Sequence, residues 1–173
     1  MRVELRRFEE LTEAEHTALA DLRSEVDFGV PPYQWTPNPE RPWRFLVWEG
    51  ERLVTHVGVL DREIRVGGQP HHVAGVYAVM TRPADRGKGY ASAALEQAAT
   101  FMRDELPKAQ HGLLVCLDTR LPFYGRLGWH KIEAPVGFEQ PGGRQFNEIN
   151  TMVLPLRDRP WPAGEVDLCG LPW

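Results

Sequence analysis

The sequence predicts an α/β (α+β) fold: a mixed central sheet of about six to seven strands, flanked by helices, that begins as an antiparallel meander. Three observations carry this expectation. Apolar runs separated by Glu49-Gly50-Glu51-Arg52 and by Gly67-Gly68 read as consecutive hairpin strands. The stretch Arg86-Gly87-Lys88-Gly89-Tyr90-Ala91 lies between the apolar run Val73 to Met80 and the alanine-rich segment Ser92 to Ala99, which reads as helix. A short apolar strand, Gly112 to Leu117, follows that helix, and a strand that joins an existing sheet after a helix implies a parallel crossover.

Taken in order, Val3 to Phe8 alternates as a first strand. Thr12-Glu13-Ala14-Glu15 has the T-x-x-E form of a capping box, and Leu19, Leu22 and Val26 continue at helical spacing. Phe28 to Pro42 holds five prolines, which forbids regular structure. This long loop carries Tyr33, Gln34 and Trp35; a lid over a site and a surface connector are equally weighted readings of it. Trp43 to Trp48, Leu53 to Val66 and His71 to Thr81 are the meander strands. The helix after the glycine-rich turn should end between Met102 and Pro107. Leu121 to Leu127 suits a short helix with Pro122 in its first turn, followed by strands over Trp129 to Ile132 and Asn150 to Leu156. Residues 1–156 are therefore expected to form the domain. The tail, 157–173, should pack on it, because a disordered tail would rarely carry Trp161, Leu168, Leu171 and Trp173.

Composition narrows the function classes. Apolar residues make up 42% of the 173-residue chain, enough for a core, and charged residues 25%. A net charge of -4 supplies no basic field for nucleic acid. No apolar run approaches the roughly 18 residues that span a membrane, and the charged N-terminus lacks the apolar core of a signal peptide, so a cytoplasmic protein without a membrane partner is expected. Cys116 and Cys169 form no metal-ligand spacing; reduced thiols are the expected state, with a disulfide as the alternative.

The order strand, glycine-rich turn, helix aims unpaired backbone N–H groups and a helix N-terminus at the contents of the turn, and a pyrophosphate fits there. Gly87 and Gly89 allow the backbone close approach, and Arg86 and Lys88 offer charge-assisted bonds; the alternative is a tight turn with two solvated cations. A dinucleotide-binding Rossmann unit fits poorly, since its glycines follow the first strand of a parallel sheet.

Arg86-x-x-Gly89-x-Ala91, the strand residues Val79-Met80-Thr81 before it, and Phe123-Tyr124-Gly125-Arg126-Leu127-Gly128-Trp129 downstream together resemble the GNAT-type N-acetyltransferases, over nearly the whole chain. The resemblance implies the GNAT fold, with the fourth and fifth strands splayed. It implies acetyl-CoA as co-substrate and no metal: residues 86 to 91 would wrap the pyrophosphate, and Val79, Met80 and Thr81 would pair with pantetheine through their backbone. It also implies transfer to the primary amine of a small molecule by direct attack on the thioester. Tyr124 would protonate the leaving thiolate, and a core tyrosine is the alternative reading. A homodimer is compatible with the family.

More narrowly, Asp27-Phe28, the segment Thr55-His56 to Arg62 and the tail ending in Trp173 are similar to the aminoglycoside 2′-N-acetyltransferases, while Trp161-Pro162-Ala163-Gly164 is similar to the nodulation N-acyltransferases. That likeness implies an acceptor pocket bounded by Asp27, Tyr77 and the Trp173 carboxylate; a solvated tail end is the alternative reading. The chain departs from the family at the base: Tyr77 stands where many relatives carry a strand-four glutamate, and Val73 to Thr81 contains no carboxylate. His56 and His72 are the nearest alternatives. A longer-chain N-acyltransferase and a non-catalytic acyl-CoA sensor are the competing readings.

Overall fold

The computed structural model describes residues 1–27 and 39–173; most of the proline-rich loop, with Tyr33, Gln34 and Trp35, lies outside them. The chain begins with strand β1 (Arg2–Arg7), and helix α1 (Glu13–Glu25) starts where the capping box requires. The Glu15 N–H donates to Thr12 Oγ1 at 3.2 Å, and the Thr12 N–H donates back to Glu15 Oε2 at 2.8 Å. Both orphan donors are satisfied by one residue pair, and Glu15 is held below the usual carboxylate range, first by that backbone bond.

The meander consists of β2 (Trp43–Glu49), β3 (Arg52–Val66) and β4 (Gln69–Thr81), all antiparallel. Helix α2 (Tyr90–Glu105) crosses over to β5 (His111–Cys116), which runs parallel to β4. The short helix α3 (Leu121–Gly125) leads to β6 (His130–Ile132), which pairs with β9 (Asn150–Pro155), itself antiparallel to β5.

Three strands lie beyond the sequence reading: β7 (Val136–Gln140), β8 (Gly143–Phe146) and β10 (Val166–Asp167) bring the mixed sheet to ten strands among the described residues, where six or seven are expected. The hairpin signal for β7 and β8 is present in the sequence, as Val136 and Phe138 in alternation before Pro141-Gly142. β10 is two residues long and carries no such signal. It pairs with the far end of β3 (Val166 with Val66) and with β7 (Val166 with Val136). β3 is long enough to share one edge between β2 at its start and β10 at its end.

Alternation divides the core between the two sheet faces. On one face Val57, Val59, Ala74, Val76 and Leu114 pack with Leu95, Ala98 and Met102 of α2. On the other, Ile64, Val66, Val73 and Leu113 pack with Phe138, Val166 and Leu168 from the hairpin and tail. Further along that second face, Leu46, Leu53 and Met80 hold Leu22 of α1. Arg82, 4% exposed, fixes α1 in place: its guanidinium donates to Leu53 O at 2.7 Å, to Asp21 Oδ2 at 2.6 Å and to Glu25.

Candidate active site

The glycine-rich turn is anchored from below. Asp85, buried just before it, takes Arg52 at 2.9 Å and Lys88 at 2.7 Å, and these cations, Lys88 first, hold its carboxyl below the usual range. Lys88 is therefore engaged inside the turn, while Arg86 is exposed. Gly87 and Gly89 have φ of 80° and 85°, and a Cβ built on either meets no atom within 4 Å, so the turn opens outward. Gly89 is the N-cap of α2, and the first N–H bonded back within the helix is that of Ala93, to Gly89 O. The N–H groups before it, including those of Tyr90 and Ala91, have no partner within the helix and give the open turn the polarity that an anion requires. The Tyr90 side chain turns away into the core, where its hydroxyl bonds Glu49 and its pKa rises.

Upstream of the turn, β4 and β5 separate. Their parallel pairing runs from Val73–His111 to Gly75–Leu113 and stops. Beyond it Leu114, Val115 and Cys116 pair only with β9. On its other side β4 shifts register against β3: Gly58 faces Tyr77, but His56 faces Met80, so β4 has one extra residue at the bulge. Ala78, inside it, has φ 46°, rare for a residue with a side chain. Fully buried His56 pins this bulge. Its Nδ1–H donates to Ala78 O at 2.7 Å, and its Nε2 lone pair accepts from Arg44 Nη1 at 3.1 Å. An acceptor-only carbonyl and a donor-only guanidinium leave that neutral tautomer as the one that fits. Burial, with help from Arg44, drops the imidazole to about 3. His56 is thus a structural pin whose lone pair is occupied, not an available base.

Tyr124 lies in the core cluster that also contains Val76, Leu114 and Cys116, with its ring edge-on to Phe123 at 5.0 Å. Burial raises its phenol well above the ordinary value, and the neighbouring Cys116 adds to this, so the proton is retained at neutral pH. Cys116 is itself pushed up to about 11 by burial and by Asp118, and its thiol contacts Met152 Sδ at 3.6 Å.

Tyr77 belongs to the opposite face. Its ring covers Gly58, where a Cβ would come within 2.2 Å of it, and its hydroxyl donates to Trp43 O at 3.3 Å. Burial raises its phenol to about 12. Two residues back on that face, the indole of Trp173 covers Gly75, and Arg62 stacks 5.7 Å from that indole while donating to Leu171 O at 2.6 Å. Asp27 is exposed directly after the Val26 C-cap of α1. His72 pairs with Asp61 at 2.8 Å, before the point where β4 and β5 part.

A family model for the acetyltransferase (GNAT) domain matches residues 7–132. The chain belongs to the GNAT acetyltransferases. Solved structures agree on the fold. ElaA from Escherichia coli superposes with a TM-score of 0.64 at 16% identity, over 88% of this chain and 98% of that one. An acyl-CoA N-acyltransferase from Pseudomonas aeruginosa gives 0.61 at 20%, with the same coverage of both chains. A GNAT family acetyltransferase from Brucella melitensis, solved in complex with acetyl-CoA, gives 0.57 at 15%, over 95% of this chain and 94% of that one. No curated protein matches the chain in sequence.

In this GNAT chain Val79, Met80 and Thr81 lead from the end of the β4–β5 pairing toward residues 86 to 91, and Tyr77 and Trp173 cover Gly58 and Gly75 on the sheet face that also carries α1. Sequence reasoning missed Arg44 and Arg41, whose guanidiniums lie 5.8 and 5.2 Å from the Tyr77 ring. Neither has a motif to announce it; strand register alone delivers Arg44. Among the described residues no group of His, Cys, Asp and Glu side chains could hold a metal ion, and no helix is long and apolar enough to cross a membrane.

Proposed function

We propose that this GNAT enzyme transfers the acetyl group of acetyl-CoA to the primary amine of a small molecule by direct attack on the thioester. The observation that supports this most is the alignment of two openings. The gap where β4 leaves β5 leads to the outward-facing turn of Gly87 and Gly89 at the N-terminus of α2. Backbone groups of Val79, Met80 and Thr81 line the gap as an unpaired strand edge, suited to pantetheine amides. The N–H groups from Gly87 to Ala91, with Arg86, would take the pyrophosphate.

In the transfer, the acceptor nitrogen bonds to the thioester carbonyl carbon and the C–S bond breaks. Tyr124, protonated at neutral pH, gives its proton to the departing sulfur, and the proton lost by nitrogen goes to water. A backbone N–H at Met80 or its neighbour would support the carbonyl oxygen. Cys116, a high-pKa thiol in the core, is unsuited to carry an acyl intermediate, which favours one direct step. Tyr77 and Trp173 would bound the acceptor on the face carrying α1, with Asp27 at that helix's end.

The finer expectation of an aminoglycoside-like acceptor finds less support, because guanidiniums rather than carboxylates surround Tyr77. Thiol release from acetyl-CoA with a panel of amines tests the reading. Acetyl transfer to at least one small amine is expected. Tight acetyl-CoA binding with no transfer to any amine would instead identify a non-catalytic acyl-CoA-binding protein.

A further inference from the structure

Three residues form a row across the sheet: Arg44 on β2 faces Gly58 on β3, and Gly58 faces Tyr77 on β4. Directly opposed residues project from the same face, so Arg44 and Tyr77 meet above a position with no side chain. Arg44 Nη1 is bonded to His56, but that imidazole is neutral and supplies no negative charge. Arg44 Nε is buried with no hydrogen-bond partner, and no carboxylate pairs with this guanidinium among the described residues. A second guanidinium, Arg41, lies 5.2 Å from the centre of the Tyr77 ring and adds positive charge to this face. A guanidinium with a desolvated Nε, as in Arg44, normally has an anionic partner.

We propose that the acceptor carries a carboxylate beside its amine, as an amino acid does, and that Arg44 binds this carboxylate. The proposal rests on the acetyltransferase reading and specifies its substrate class. A planar carboxylate matches the donor fork of a guanidinium, and it supplies the negative charge that the row lacks. The same two cations repel a polycationic acceptor. They also favour the neutral form of an amine placed near them, which performs part of the task of the missing strand-four carboxylate. Tyr77, with its proton retained and its hydroxyl turned to Trp43 O, then serves as an uncharged wall that holds the guanidiniums by their faces.

The test presents each amine to the full chain with acetyl-CoA as a pair, the free amino acid and its carboxamide, with an aminoglycoside and a polyamine alongside. The carboxylate member should show a kcat/KM about ten- to a hundredfold higher, the range of one charge-assisted contact. Arg44→Gln should erase that preference, and Arg44→Lys should keep part of it. Carboxamides or polycations as better substrates, or a preference that survives Arg44→Gln, would overturn the proposal while leaving the acetyltransferase reading in place. Thermal unfolding with amino acids in the absence of acetyl-CoA separates the two ideas. A rise in Tm for the wild type but not for Arg44→Gln supports the carboxylate subsite even without turnover, and no rise together with no turnover overturns both. If Arg44→Gln does not fold, the wild-type acid and amide pairs decide.

Discussion

The two halves of the candidate site are built from different material. The proposed co-substrate half, from Val79 to Ala91, is made of backbone: a strand edge left by β5, a turn with two positive-φ glycines, and a helix N-terminus. The proposed acceptor half would work through side chains. Arg44 from β2, His56 from β3 and Tyr77 from β4 meet on one face, and Trp173 from the tail covers Gly75 further along it, although they are scattered over the chain. A backbone site constrains only a few residue types, so many sequences share it. A side-chain site can change its partner without changing the fold, and this chain has placed guanidiniums where a carboxylate would suit a cationic amine.

This division can be broken by mutation. The largest effect is expected at Tyr124. Tyr124→Phe should lower kcat about a hundred- to ten-thousandfold while acetyl-CoA affinity and Tm stay close to wild type. Rates within a few-fold of wild type would return Tyr124 to the role of a core tyrosine.

Acidification should act on the junction between the halves. The folded-state pKa of His56 is depressed, from 6.5 to about 3. Its contribution is therefore fully present above pH 6.5 and declines as pH falls from there toward 3, by about 3 kcal/mol at pH 4. His71, lowered to about 4 by burial beside His111, declines over the upper part of the same window. Chemical denaturation at stepped pH reads this, and a constant unfolding free energy from pH 7 to 4 would contradict the buried neutral pin.

A more local effect is expected at Gly58. Gly58→Ala places a Cβ 2.2 Å from the Tyr77 ring, which should cost about 1–3 kcal/mol and raise the acceptor KM with acetyl-CoA affinity unchanged. Adding Tyr77→Ala should recover part of the stability, and simple additivity in the double mutant would show that the ring is not the obstacle. Equal losses for acceptor and acetyl-CoA would mean that the two halves are one mechanical unit.

The smallest effect belongs to the bulge. Ala78→Gly relieves a positive φ and should change stability by no more than about 1 kcal/mol, in the stabilising direction, as measured by denaturant midpoint. A clear loss would show that the Ala78 methyl matters more against the α1 cluster than its backbone strain does.

The turn and helix of the proposed co-substrate half were legible because their backbone conformations have local signatures. Positive φ requires glycine at 87 and 89, and the capping box announces α1 at Thr12. The hairpin over Pro141-Gly142 was legible too and lies outside the six or seven strands expected; β10 was not, since two residues carry no period. In the chain Arg82 reads as an ordinary residue, and His56 as a candidate base rather than a pin. Their importance comes from burial, one pinning the Ala78 carbonyl and the other tying Asp21 and Glu25 to β3.

The amino-acid sequence by itself determined the fold class, the family and the glycine-rich turn before α2, because periodicity, caps and glycine conformations act over a few neighbouring residues. Only the tertiary structure decided the character of the acceptor side. Register across β2, β3 and β4 put Arg44, Gly58 and Tyr77 in one row, and the tail laid Trp173 over Gly75. Charge and shape at that face are sums over residues far apart in the chain, and no local pattern encodes such a sum.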